Sequence, residues 1–143
     1  MGLLIVTDIN MGRKKSENTI SKNDIKRDKL KSAVETTDIE EIIELTKDSD
    51  PDVRAGALRC ICPCRVYDKI NEFWERVLEM INDEDDKVRE NVLHVLCDGS
   101  PDYLEDRIIT AVQSFNRDSN KYIKRRAHKV LGSYYKTGKW NIL

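Results

Sequence analysis

The sequence predicts an all-α chain: a short solenoid of three stacked helical hairpins behind an N-terminal capping helix. The phrases Asp48-Ser-Asp-Pro-Asp-Val53-Arg54, Asp83-Glu-Asp-Asp-Lys-Val88-Arg89 and Asp118-Ser-Asn-Lys-Tyr-Ile123-Lys124 recur every 35 residues without drift. A fixed period in this range marks stacked helix pairs. Apolar positions also match at that offset: Cys60, Val95 and Val130; Ile61, Leu96 and Leu131; Ile42, Val77 and Val112. Finally, 36% charged and 6% aromatic residues suit short amphipathic helices with much surface better than a thick α/β sandwich. At 143 residues the chain is long enough for one domain with a core.

Residues 1–20 read as a flexible N-terminal segment, polar over 10–20, with an apolar run Leu3-Leu4-Ile5-Val6 that has no assigned place. The repeat domain spans 21–143. A helix over about 21–36, opened by Ser21-Lys-Asn-Asp24 and carrying Ile25, Leu30, Ala33 and Val34 on one side, caps the exposed apolar end of the stack. The first repeat covers about 37–64. Thr37 and Glu40 have the spacing of a capping box, and Ile39, Ile42, Ile43 and Leu45 keep one apolar stripe. Pro51 suits a first helical turn. The second helix then runs from about Asp52 to Cys62, with Val53, Ala57, Cys60 and Ile61 on one face, and Pro63 ends it.

The second repeat covers about 67–98, with helices over 68–82 and 86–97. Its core positions are Ile70, Phe73, Trp74, Val77, Leu78 and Ile81, then Val88, Val92, Val95 and Leu96. Asp98-Gly-Ser-Pro101 stops one helix and starts another. The third repeat, about 101–135, carries Leu104, Ile108, Ile109, Val112 and Phe115, then Ile123, Ala127, Val130 and Leu131. Tyr134, Tyr135 and a tail over 136–143 with Trp140, Ile142 and Leu143 fold back over the last hairpin.

The turn acids Asp48, Asp83 and Asp118, the β-branched residue five places on, and the basic residue after it (Arg54, Arg89, Lys124) resemble the HEAT repeat family over residues 37–135. The Cys-Pro-Cys-Arg and Asp-Gly-Ser-Pro segments are similar to those of short bacterial single-domain HEAT-like proteins. The resemblance implies a short right-handed α-solenoid of three HEAT-like hairpins. It also implies that Asp48, Arg54, Asp83, Arg89, Asp118 and Lys124 form a structural turn ladder tying neighbouring repeats. The family's proline in the first helix of each repeat is absent from all three units.

Metal and catalytic readings are weak. Cys60, Cys62, Cys64, Cys97 and His94 are zinc-type ligands. However, Cys60 falls in a core slot where a thiol acts as a small apolar group. A Cys-x-Cys pair on a helix also sets its sulfurs about 200° apart. Cys62 and Cys97 sit at equivalent positions on helices that pack about 8–10 Å apart, too far for an unstrained disulfide. The two histidines, His94 and His128, stand in no nucleophile motif. The chain therefore reads as a non-enzyme without metal or cofactor.

Its function reads as protein binding. Net charge is −1, but Arg13, Lys14, Lys15, Lys22, Lys26, Arg27, Lys29 and Lys31 make the start basic, acids dominate from Asp38 to Asp106, and Asp118 is the one acid from Arg117 onward. The second helices line the concave face in such stacks. Their outward positions give a partner-binding row of Arg59, Cys62, Glu90, His94, Cys97, Arg125 and Lys129, with Leu58 and Leu93 adding an apolar floor. The alternative is nucleic acid held by Lys121, Arg125, Arg126, Lys129, Lys136 and Lys139, with Tyr122, Tyr134, Tyr135 and Trp140 to stack on bases. The apolar start lacks a basic lead and a cleavage site, and no apolar run is long enough to span a membrane. Four cysteines without a secretory signal suit the cytosol. Stack ends or the N-terminal segment offer routes to self-association.

Overall fold

The computed structural model describes residues 20–60 and 70–143. These are all-helical: α1 (Lys22–Glu35), α2 (Ile39–Leu45), α3 (Pro51–Arg59), α4 (Asn71–Glu79), α5 (Asp86–Leu96), a 3-10 turn (Asp102–Leu104), α6 (Glu105–Phe115) and α7 (Lys121–Thr137). No strand occurs among the described residues. Consecutive helices pair as α2 with α3, α4 with α5, and α6 with α7. Between pairs, α3 packs on α5 and α5 on α7, so these three form one row; α1 covers α2 and α3 at its start.

One local design starts each helix of that row. Asp50, Asp85 and Asn120 are the N-caps, and their side-chain oxygens accept from Asp52 N–H, from Lys87 and Val88 N–H, and from Tyr122 and Ile123 N–H respectively. Such caps satisfy donors that have no partner within the helix. The β-branched anchors Val53, Val88 and Ile123 follow and are all buried. The core is continuous through the stack, from Ile42 and Leu58 through Phe73, Val77, Val92 and Leu96 to Ile108, Val112, Phe115 and Val130.

Several boundaries differ from expectation. The capping box expected at Thr37 and Glu40 does not form; Asp38 is the N-cap of α2 and accepts from Glu40 N–H. Thr36 and Ser32 hydroxyls bond the Glu41 carboxylate instead. A capping box does form at Ser21 and Asp24 on α1. Helix α3 ends at Arg59, with Cys60 as its C-cap, not at Cys62. Cys60 is accordingly half-buried and not a full core residue. Helix α4 stops at Glu79; Met80 is buried, and Ile81 is partly buried against the core. Helix α7 ends at Gly138, whose φ of 72° is the left-handed conformation that closes helices.

The middle and last helices of the row differ in how much of their surface is covered. On α5, Val88, Asn91, Val92, Leu93, Val95 and Leu96 are buried, an arc of about 200° at 100° per residue. On α7, buried Ile123, Ala127, Val130 and Leu131 span only about 100°. Within the row, α5 is sandwiched between α3 and α7, whereas α7 has only α5 beside it and packs on α6 beneath.

Candidate functional site

The row α3, α5, α7 is held by arginine–aspartate ties. Arg54 donates Nε to Asp83 Oδ2 at 3.1 Å and Nη2 to Asp83 Oδ1 at 3.0 Å. Its Nη1 reaches the carbonyls of Asp48 and Ser49 in its own turn. Arg89 repeats the arrangement: Nε and Nη2 to Asp118 at 2.9 and 3.1 Å, and Nη1 to the carbonyls of Asp83 and Glu84. Each acid also accepts a backbone N–H two residues on, from Asp50, Asp85 and Asn120. At the start of the row Lys29 of α1 bonds Asp48. At its far end Lys124 is exposed and joins no ion pair among the described residues. The side-chain bond from Lys29 holds the Asp48 carboxyl below the usual aspartate range. Burial pushes the Asp118 carboxyl up, but the bonds from Arg89 and the Asn120 N–H outweigh it and leave it below that range. Arg54 and Arg89 are raised, chiefly by their bonds to Asp83 and Asp118.

The outward residues of the row fall into two groups. Arg59 is exposed and donates Nε to Asn91 at 2.9 Å, linking α3 to α5. His94 sits on α5 between Asp98, 3.4 Å from Nε2, and Arg126, 3.5 Å from Nδ1. Arg126 carries only donors, so in the neutral ring Nδ1 accepts and the proton lies on Nε2 toward Asp98. Arg126 also approaches Glu90 at 3.7 Å and lies over the Tyr122 ring at 5.4 Å. In contrast, Lys121, Arg125, Lys129 and Lys136 on α7 are exposed, as is Lys139 beyond it.

Three expected contributors are not on this face. Cys97 is fully buried, and burial pushes its thiol up to about 12, which leaves it neither a contact residue nor a nucleophile. Leu58 and Leu93 are fully buried, so the expected apolar floor is absent and the outward surface is polar. Of the aromatics, Tyr122 and Tyr135 are exposed, the Tyr134 hydroxyl donates a hydrogen bond to Glu105, and Trp140 is buried. Cys62, Cys64 and the Leu3–Val6 run lie outside the described residues. Among the described residues no group of three or more His, Cys, Asp or Glu side chains could hold a metal ion, and no helix is long and apolar enough to cross a membrane.

Trp140 owes its burial to a tail lock that periodicity does not reveal. Its indole N–H donates to Ser100 Oγ at 2.8 Å, and that hydroxyl donates to the Leu96 carbonyl. Asn141 Oδ1 accepts from Gly99 N–H and Ser100 N–H, its Nδ2 donates to Ser100 O, and Leu143 N–H reaches Cys97 O. The sequence signals were a tryptophan N–H that needs an acceptor when buried and a serine inside the Asp98-Gly-Ser-Pro turn. A polar groove of about 720 Å³ beside the Arg89–Asp118 tie, lined by Asn82, Thr110, Gln113 and Arg117, is a further surface feature. No protein-family model, curated protein or solved structure matches this chain.

Proposed function

We propose that the chain is a short right-handed HEAT-like α-solenoid, three hairpins behind the capping helix α1, working in the cytosol as a non-enzymatic protein-interaction module. The partner is held on the face made by α3, α5 and α7, with Arg59, Glu90, His94, Arg125 and Lys129 as contacts. The repeated tie of Arg54 to Asp83 and Arg89 to Asp118 carries this reading. It fixes three parallel helices in register through bidentate bonds, and a surface ordered before binding loses less entropy when a partner arrives.

The test is crosslinked capture from native lysate with wild type and with Arg125→Glu/Lys129→Glu. Proteins captured by wild type and lost with the folded double variant support the assignment; identical captured sets refute it. Nucleic-acid binding is the second reading, favoured by α7 having no acidic residue. Anisotropy titrations of random single-stranded and duplex DNA decide it. Binding at low salt that collapses at physiological salt, as counterion release requires, supports nucleic acid, and no binding at low salt removes it.

A further inference from the structure

Lys121, Arg125, Lys129 and Lys136 lie on one side of α7, within an arc of about 80° and over a rise of about 22 Å. All four are exposed, and among the described residues none is in an ion pair or a side-chain hydrogen bond. This face is built against the stability of its own helix in three ways. Lys121 with Arg125, and Arg125 with Lys129, are like charges four apart, which repel. Helices α1 to α6 each have an acid in the first turn, whereas α7 has none and sets Lys121 against the positive end of its dipole. Gly132 sits mid-helix in the centre of the row, and glycine there is unfavourable relative to alanine. Nothing lies within 4 Å of a Cβ built on Gly132, and its φ is not positive, so neither internal packing nor backbone geometry requires a glycine.

Local choices that oppose the fold and converge on one surface mark a functional site. We infer that α7 docks an acidic amphipathic helix of a partner protein, laid along Lys121, Arg125, Lys129 and Lys136 with its closest approach at Gly132. This deepens, and rests on, the reading of the face as a protein-binding surface.

On its α5 side the positive area ends within one helix, which favours a helix as the occupant. The neighbouring α5 places Asp86 against Asn120 and Glu90 against Arg126, so the charge reverses one helix away. A duplex needs a broad basic surface and would be repelled by these carboxylates. A single helix with Glu or Asp every four residues repeats each ~6 Å, the spacing of Lys121, Arg125 and Lys129. The absent Cβ at Gly132 lets the partner backbone approach closely. The rest of this chain does not supply the acids. Residues 1–19 carry Asp8 and Glu17 against Arg13, Lys14 and Lys15, and residues 61–69 carry Asp68 against Arg65 and Lys69.

The test uses the full chain and a labelled, alanine-based helical peptide with Glu at positions spaced four, four and seven apart, beside its Gln counterpart. Saturable binding of the Glu peptide is expected. It should weaken about tenfold in Arg125→Glu/Lys129→Glu, as several lost charge pairs imply, and at least fivefold in Gly132→Leu. Gly132→Ala, which removes a glycine from a helix, should raise Tm and still weaken the peptide. No saturable binding, equal binding of the Gln peptide, or full binding by both Gly132 variants overturns the proposal. Tighter binding of single-stranded DNA of equal charge overturns it in favour of a polyanion site. Failure here with capture still lost in Arg125→Glu/Lys129→Glu leaves the protein-binding module standing and removes only the acidic helix.

Discussion

Arg54 and Asp83 meet through two parallel hydrogen bonds across adjacent helical pairs, with side chains only 9% and 12% exposed. A largely buried charge left without its partner is costly, so removing one member matters more than the pair's net worth. Arg54→Ala strands the Asp83 carboxylate and removes the donor from the carbonyls of Asp48 and Ser49. The expected loss is about 3 kcal/mol in urea unfolding. Arg54→Lys should recover little, because a lysine cannot make the bidentate fork. A double-mutant cycle with Asp83→Ala should show strong coupling. The exposed Arg107–Glu75 pair, by contrast, should leave Tm nearly unchanged when Arg107 is replaced by Ala.

Acid should loosen the stack through these same ties. Asp48 and Asp118 have carboxyls held below the ordinary aspartate value of 3.8. A group whose folded value is depressed contributes stability that is complete above its unfolded value and is lost as pH falls through the folded one. Unfolding followed by circular dichroism should therefore show stability falling as pH drops below about 4. Asp118→Asn should be less stable at neutral pH and should show a shallower decline over that acid range. An equally steep acid limb in the variant would remove Asp118 as a contributor.

The repeating part of the molecule was legible to the residue, whereas the non-repeating parts were legible as elements but not in their contacts. Val53, Val88 and Ile123 are buried as their period demands, because one geometric solution recurs three times. Leu58 and Leu93 were placed on the outer face because a stripe of about 100° is what one amphipathic helix shows alone. Helices α3 and α5 are covered from two sides, which widens the buried arc past those residues. The contact of Ser100 with Trp140 joins segments 40 residues apart with no second copy to average over. Helix α7 was legible as the exceptional member of the row, since its loss of acids is visible in composition alone.

The tail lock makes Cys97 a reporter. Burial raises its thiol to about 12, and Leu143 N–H bonds its carbonyl. A thiol with such a value is thiolate in roughly one molecule in ten thousand at pH 8. With Cys60, Cys62 and Cys64 replaced, the remaining Cys97 should react with a disulfide reagent only on the timescale of opening. Asn141→Ala removes the acceptor shared by Gly99 and Ser100 and should lower Tm while speeding that reaction. Deleting residues 140–143 should speed it at least tenfold. Unchanged reactivity after the deletion would show that the tail does not guard the thiol.

The seat of α1 on α3 rests on one glycine. A Cβ on Gly56 would stand 2.3 Å from Leu30 Cδ2, so α1 lies against α3 where a side chain would otherwise be. In an open helix, alanine for glycine gains about 1 kcal/mol. At Gly56 that gain is opposed by displacement of the Leu30 side chain. Gly56→Ala should give no gain in Tm and should speed amide exchange in α1, because the Leu30 contact and the Lys29–Asp48 bond share the same interface. Gly56→Ala combined with Leu30→Ala relieves the overlap and should return α1 exchange toward that of Leu30→Ala alone. If Gly56→Ala instead raises Tm with α1 exchange unchanged, Leu30 repacks freely and the glycine does not set the approach of α1.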